Sequence, residues 1–113
     1  PYEDHFHLPE PTYKADPCWF GFLLTVRDGS PIRRQEFVDF MESKKIQTRS
    51  YFTGLVLAHP GYIHLAKDYG ILERAFPVAA KVTHDSFFLG TYLGLTTEKL
   101  DYIEECVKEF FRG

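Results

Sequence analysis

At 113 residues with 44% hydrophobic content, 11 Phe and 7 Tyr, the chain is long enough for one domain with a core of ordinary size. Its 13 Lys and Arg against 16 Asp and Glu leave a formal charge of −3, and the basic residues are scattered in sequence, which argues against nucleic acid as the main partner because phosphate binding needs a concentrated basic surface. The 2 cysteines, Cys18 and Cys106, give no disulfide framework and suit a reduced, cytoplasmic setting, and no apolar run approaches the roughly 20 residues that span a bilayer.

The chain opens on Pro1 without a signal-peptide pattern, as expected of a piece of a longer protein or of a chain that has lost its initiator Met. Residues 1–17 carry Pro1, Pro9, Pro11 and Pro17 among charges and histidines. Proline fixes φ and lacks an N–H, so this segment is predicted to be an extended, irregular linker, with the folded domain over 18–113. Asp16 to Val26 is the longest apolar stretch and reads as a strand covered on both faces. With a period of two, Phe20, Phe22, Leu24 and Val26 form the expected core side and Trp19, Gly21, Leu23 and Thr25 the other. Gly21 between two Phe residues predicts a close approach to the backbone, and Asp28-Gly29 predicts the turn that ends the strand.

Ser30-Pro31 offers an N-cap followed by Pro at the first helical position, predicting a helix over 31–45 with Phe37, Val38 and Met41 on its apolar face and Phe40 at the edge. Ile46 to Phe52 reads as a second strand, so that strand, helix and strand suggest a βαβ unit, right-handed if the strands are parallel. Thr53 to Phe76 loses periodicity and reads as a long loop with one short helix near Ile63–Tyr69. A loop of that length in a small domain points to function or to an interface. Pro77 begins a short helix through Val82, and Ser86 to Thr91 follows as a third strand. Thr96 caps a last helix whose buried face is Leu100, Ile103, Val107, Phe110 and Phe111, with Glu98 and Asp101 near its positive end. The expected fold is an α/β two-layer sandwich, with a small mixed or antiparallel sheet of about three strands and helices packed on it.

Most clusters of reactive residue types have a plainer explanation. His5 and His7 in the proline-rich arm lack the three or four fixed ligands of a zinc site. His84, Asp85 and Ser86 are consecutive and cannot converge as a hydrolase triad, so they read as polar residues at a helix end. Cys18 has no basic neighbour to lower its pKa and reads as a buried thiol. Phe20-Gly21-Phe22-Leu23 imitates part of an RNA-recognition signature, but Cys18, Trp19 and Thr25 stand where that signature needs basic, glycine and aromatic residues. Arg49 stands out among the charges. It ends a strand that opens into an irregular loop, where α/β proteins place ligand contacts, and its guanidinium matches phosphate or carboxylate; a surface ion pair is the alternative.

Asp16-Pro-Cys-Trp-Phe-Gly-Phe, Glu42-Ser-Lys-Lys-Ile-Gln-Thr-Arg49, Phe52-Thr-Gly, Asp85-Ser-Phe-Phe-Leu-Gly-Thr-Tyr-Leu-Gly-Leu-Thr96 and Leu100-Asp-Tyr-Ile, taken in order, resemble the C-terminal portion of nucleotide-sugar dehydratases. The nearest likeness is to the CDP-6-deoxy-4-hexulose 3-dehydratases of lipopolysaccharide biosynthesis, within the DegT-type sugar aminotransferase superfamily, and it covers nearly the whole chain beyond residue 8. The resemblance implies the small domain of a fold-type I pyridoxal-phosphate enzyme, which dimerises when intact and closes over a cofactor held by a larger N-terminal domain. Pyridoxal or pyridoxamine phosphate, its lysine or replacement histidine, and the iron-sulfur cysteines of the dehydratase branch would then belong to that larger domain, and this chain would hold no cofactor, metal or catalytic residue. Arg49, Tyr51 and Phe52 are implied to line the sugar-nucleotide site. Departures fall nearby, with Leu55 where relatives carry Asn, Ala58 for a basic residue, His59 for Gln and His84 for Asn, while Phe88 and Leu93 replace Trp and Pro. They keep open an alternative, a freestanding interaction or regulatory domain that retains the fold without catalysis. In neither case is a membrane partner expected.

Overall fold

The computed structural model describes residues 2–113. Four strands form one sheet, β1 (Phe6–His7), β2 (Gly21–Val26), β3 (Thr48–Ser50) and β4 (Ser86–Gly90), in the order β1-β2-β4-β3 with every neighbouring pair antiparallel. The helices are α1 (Arg34–Ser43), α2 (Ile63–Ala66), α3 (Leu72–Ala75), α4 (Pro77–Asp85) and α5 (Thr97–Arg112), with a 3₁₀ turn at Val56–Ala58. This is the expected small antiparallel sheet with helices packed on it, with one strand more than the sequence announced. The additional strand lies in the proline-bearing segment, where Phe6 is 2% exposed and pairs with Val26.

The strand–helix–strand reading is right in direction but not in adjacency. β2 and β3 both run antiparallel to β4 and are therefore parallel to each other, but β4 lies between them. β4 is the apolar strand buried along most of its length, so it takes the interior position where both edges are hydrogen-bonded.

Cross-strand partners share a face, so the pairs Leu24↔Phe87, Phe22↔Leu89 and Phe6↔Val26 define the core side. Phe37 and Met41 of α1 and Cys106 of α5 close on it, with Ile103, Val107, Phe110 and Phe111 packed around them. Phe37 meets Phe6 edge-on at 5.1 Å and Phe110 at 4.9 Å. Each fully buried Phe stabilises the fold by roughly 1.5–3 kcal/mol relative to exposure. The opposite face carries Gly21, Leu23 and Thr25 of β2 with Phe88 and Ser86 of β4, and there the Thr25 and Ser86 hydroxyls bond at 2.7 Å. Leu55, Ala66 and Ala80 are also buried, apart from the main core.

Several boundaries differ from expectation. Strand β2 starts at Gly21, so Asp16–Phe20 lies outside the sheet, Phe20 is 76% exposed and Cys18 is an exposed thiol; Cys106 is the buried one. Helix α1 does not use the Ser30-Pro31 cap. It begins after Arg33, whose backbone N–H donates to the Glu36 carboxylate in a capping box. Strand β3, expected over Ile46–Phe52, contracts to Thr48–Ser50, because Ile46 is drawn into the core at the end of α1 and Phe52 leaves the sheet. The long segment after it contains three short turns of helix, not one. Thr96 caps α5 as expected, its Oγ1 accepting from the Lys99 N–H, but Leu100 is half exposed and borders an apolar groove of about 400 Å³ with Phe22. Among the described residues no helix is long and apolar enough to cross a membrane.

Candidate functional site

The turn from α1 into β3 fixes the site. Lys44 ends the helix and Lys45 follows with φ of 65°. The Ile46 N–H donates to the Met41 carbonyl and the Lys45 N–H to the Glu42 carbonyl, the pair of bonds of a Schellman motif, and buried Ile46 and Met41 supply its hydrophobic contact. Glu42 then accepts from both the backbone N–H and the hydroxyl of Thr48, at 2.5 and 2.8 Å. Those bonds, the backbone one first, hold the Glu42 carboxyl below its ordinary range. Arg49 follows directly, paired with Phe88 in register and so placed on the face away from the core.

Beyond β3 the backbone turns outward. Phe52 has φ of 47°, a left-handed conformation that is an outlier for an aromatic residue and costs about 1–3 kcal/mol. Its ring stands 69% exposed and stacks 6.1 Å from Phe20, with Phe88 at 6.0 Å and Tyr51 at 5.2 Å. Gly21, having no side chain, lets the Phe88 ring lie against β2 beneath this group.

The three residues singled out from sequence thus open on two cavities. Tyr51 and Phe52 border an aromatic dish of about 290 Å³ with Trp19, Phe20 and Phe88. Arg49 opens on a larger cavity of about 580 Å³ between the β3–β4 end of the sheet and α5, lined also by Lys44, Lys45 and Lys99. Phe88 lines both. Phe20 and Phe88 were not singled out, although the Gly21 spacing marked the place where they meet. Lys45 and Lys99 carry no sequence signal, because only the fold brings them to one cavity.

The other conspicuous residues have structural positions. His5 stacks on Phe111 at 4.6 Å and its Nδ1 lies 3.3 Å from the Ser30 hydroxyl. His84 and Asp85 end α4, and Asp85 pairs with Lys81 at 3.0 Å. Lys81 also bonds Asp28 at 2.7 Å; burial pulls the Lys81 pKa down, and the two carboxylates outweigh it and hold it raised. Lys44 pairs with Glu109 at 2.6 Å, a bond that raises its pKa. Leu55 is 4% exposed, and its N–H donates to the Thr83 hydroxyl, so it anchors the loop inward instead of presenting a polar group. Ala58 and His84 are exposed.

A family model described as the DegT/DnrJ/EryC1/StrS aminotransferase family matches residues 3–108. The chain is 36% identical over 108 residues to the lipopolysaccharide biosynthesis protein RfbH of Salmonella typhimurium, covering 96% of this chain and 24% of that protein. It is also 36% identical over 103 residues to dTDP-4-dehydro-2,6-dideoxy-D-glucose 3-dehydratase of Saccharopolyspora spinosa, covering 91% of this chain and 22% of that one. The chain therefore spans about a quarter of the length of these relatives. Among solved structures, a GDP-4-keto-6-deoxymannose-3-dehydratase variant with bound GDP-perosamine superposes with a TM-score of 0.68 over 92% of this chain and 26% of its own, at 19% identity. The Escherichia coli form of that dehydratase, with bound hydrated PLP, superposes at 0.66 over 93% of this chain and 26% of its own, at 18% identity. At such identities the likeness is one of fold.

Proposed function

Because the chain belongs to the DegT/DnrJ/EryC1/StrS aminotransferase family, we propose that it is the C-terminal small domain of a pyridoxal- or pyridoxamine-phosphate-dependent nucleotide-sugar 3-dehydratase or aminotransferase of lipopolysaccharide or deoxysugar biosynthesis. In this reading a larger cofactor domain is joined to the chain through its N-terminal segment, of which β1 already belongs to the small domain's sheet, the intact protein is a cytoplasmic homodimer, and the small domain closes over the nucleotide sugar. The dehydratase branch is favoured by the relatives, since the Saccharopolyspora protein is named a sugar 3-dehydratase.

The observation that carries the proposal is the position of Arg49 in the middle of the short strand β3, next to the Glu42–Thr48 bonds and opening on a cavity beside an exposed aromatic dish. Arg49 binds an anionic or hydroxyl-rich part of the substrate, and Tyr51 and Phe52 form a wall against its ring and exclude water there. Two of the chain's lysines are unsuited to a Schiff base with the cofactor. Lys44 is paired with Glu109 and Lys81 with two carboxylates, whereas a Schiff-base lysine needs a depressed pKa. In this reading the cofactor's electron-sink chemistry belongs to the larger domain.

The test is turnover of a CDP-4-keto-6-deoxyhexose by the intact enzyme and by its Arg49→Ala variant, with the 113-residue chain assayed alone for pyridoxal phosphate uptake by absorbance. Loss of turnover in the variant and inertness of the isolated chain are expected. Robust turnover by the isolated chain, or an unaffected Arg49→Ala enzyme, overturns the proposal. The inward-facing Leu55 favours a second reading, a freestanding regulatory domain that docks on a full-length relative. Co-elution with such a relative in size-exclusion chromatography, without any gain in turnover, would favour it.

A further inference from the structure

Helix α5 carries two faces with work to do, and α1 satisfies one of them. Tyr102, Cys106, Glu109 and Phe110 recur at helical spacing on the α1 side. There the Tyr102 hydroxyl donates to the Lys44 carbonyl at 3.0 Å, Glu109 pairs with Lys44 at 2.6 Å and Phe110 meets Phe40 edge-on at 5.3 Å. Leu100, Ile103 and Val107 form the second face, along the apolar groove of about 400 Å³ that Phe22, Leu24 and Leu89 of the sheet's core side also line. The contacts to α1 hold α5 in place, so it cannot swing over and close the groove.

This groove is more apolar than an open surface requires. Among the described residues Glu3 is the one charged residue of its lining, and Leu8, Phe22 and Leu100 are 40%, 40% and 51% exposed. Contiguous apolar surface of this kind marks a place that another element covers. The N-terminal arm shows which element that is. Tyr2 stacks on Phe111 at 4.7 Å, one turn beyond Val107, and Tyr2 and Glu3 themselves line the groove. A chain arriving at Tyr2 is therefore delivered to the Val107 end. The chain spans about a quarter of the length of its relatives, and a segment tethered a few residues away has an effective concentration in the millimolar range, which a second copy or a separate partner does not match.

We propose that the segment preceding Pro1 in the intact protein lies in this groove, running beside α5 in the same direction, with its last residues at Val107 and earlier ones at Leu100. The inference rests on the reading that a larger domain is joined through the N-terminal segment. From Leu100 to Val107 is about 10 Å along α5, room for roughly two turns of a helix laid beside it. The apolar side chains of that segment complete the core between the sheet and α5, so the preceding segment and the small domain form one folding unit.

The experiment is photo-crosslinking of the intact protein carrying p-benzoylphenylalanine in place of Leu100 or of Val107, with adducts located by mass spectrometry and crosslinked dimers separated on a denaturing gel. Leu8, on the arm and half exposed, takes the same probe where α5 must stay undisturbed. Intramolecular adducts are expected within about 20 residues before Pro1, a helix of average length and its connection. Those from Val107 should lie nearer Pro1 than those from Leu100, and those from Leu8 should fall in the same segment. A probe at Glu105, on the exposed side of α5, should give none there. Adducts on a partner subunit or elsewhere in the protein, adducts in the reversed order, or probes that react with solvent alone overturn the proposal. The adducts are read without turnover. Misplaced adducts beside an inactive Arg49→Ala enzyme overturn the groove's occupant alone, and adducts in the expected order beside an unaffected Arg49→Ala enzyme overturn the substrate-site reading alone.

Discussion

Gly21 of β2 lies so close to Phe88 of β4 that a Cβ on the glycine would stand 2.5 Å from the ring's Cδ2 and 3.2 Å from the Leu89 carbonyl. The absent side chain is what lets Phe88 pack against β2 on the outer face and line both cavities. Gly21→Ala is therefore expected to destabilise the domain by about 1–3 kcal/mol, the usual effect of overpacking. Urea denaturation should show it. The effect should shrink when combined with Phe88→Leu, because the clash and its relief involve the same atoms.

Phe52 separates stability from recognition. Its left-handed backbone is strained, while its ring is mostly exposed. Phe52→Asn places a residue that tolerates this conformation, so thermal stability should hold or rise by up to about 1 kcal/mol. Under the proposed function, the same change in the intact enzyme should raise the KM for the nucleotide sugar several-fold, since the aromatic dish loses a wall. Unchanged KM would remove Phe52 from the binding surface.

Thr83 ties the loop after β3 to α4. Its hydroxyl accepts from the Leu55 N–H at 2.7 Å and donates to the Ala79 carbonyl at 2.8 Å. Thr83→Val preserves the shape and leaves the Leu55 N–H without a partner beside a buried side chain, an expected loss of about 1–3 kcal/mol. Thr83→Ser should recover most of it. Hydrogen exchange at Leu55 would report the local opening before the global unfolding curve moves.

The Asp28–Lys81–Asp85 cluster gives the chain a pH signature. The hydrogen bond from Lys81 holds the Asp28 carboxyl below its ordinary 3.8 when folded. A group with a lowered folded-state pKa contributes stability that is present above its unfolded value and is lost as pH falls through the folded one. For Lys81, raised from 10.5, the contribution is present below 10.5 and is lost as pH rises through the folded value. Asp28→Asn should thus lower the urea midpoint slightly at neutral pH, and the difference should shrink as pH falls below 3.8 and vanish only below the lower folded-state value. Asp28 is highly exposed, so added salt should diminish the effect at every pH.

Local chemistry made part of this molecule readable and topology hid the rest. Helix α5 was legible because Thr96 and a run of apolar residues at helical spacing agree, and β4 because five residues with two Phe and a Leu follow a helix end. The start of α1 was misplaced because Ser30-Pro31 is a strong cap signal, whereas the capping box actually used runs from Arg33 to Glu36, without a side-chain cap of the usual type at its first position. Cys18 was misread as buried because apolar neighbours suggest a strand even where no partner strand reaches. Phe6 gave no strand signal, since a two-residue edge strand among prolines has no period to detect. At the site, Arg49 could be marked from its strand and loop context. The cation partners could not, because Lys45 and Lys99 sit on helix ends far apart in the chain.

The central position of β4 also sets an order of events during synthesis. The β1–β2 pairing can form early, but β3 has no strand beside it until Ser86–Gly90 has emerged to bridge it to β2. Until then the ribosome displays Leu24, Phe37 and Met41 on a half-made surface, with the ring of Phe87 that will cover them still unmade. A chain stalled before residue 86 should therefore recruit chaperones, and release of the next few dozen residues should let it go.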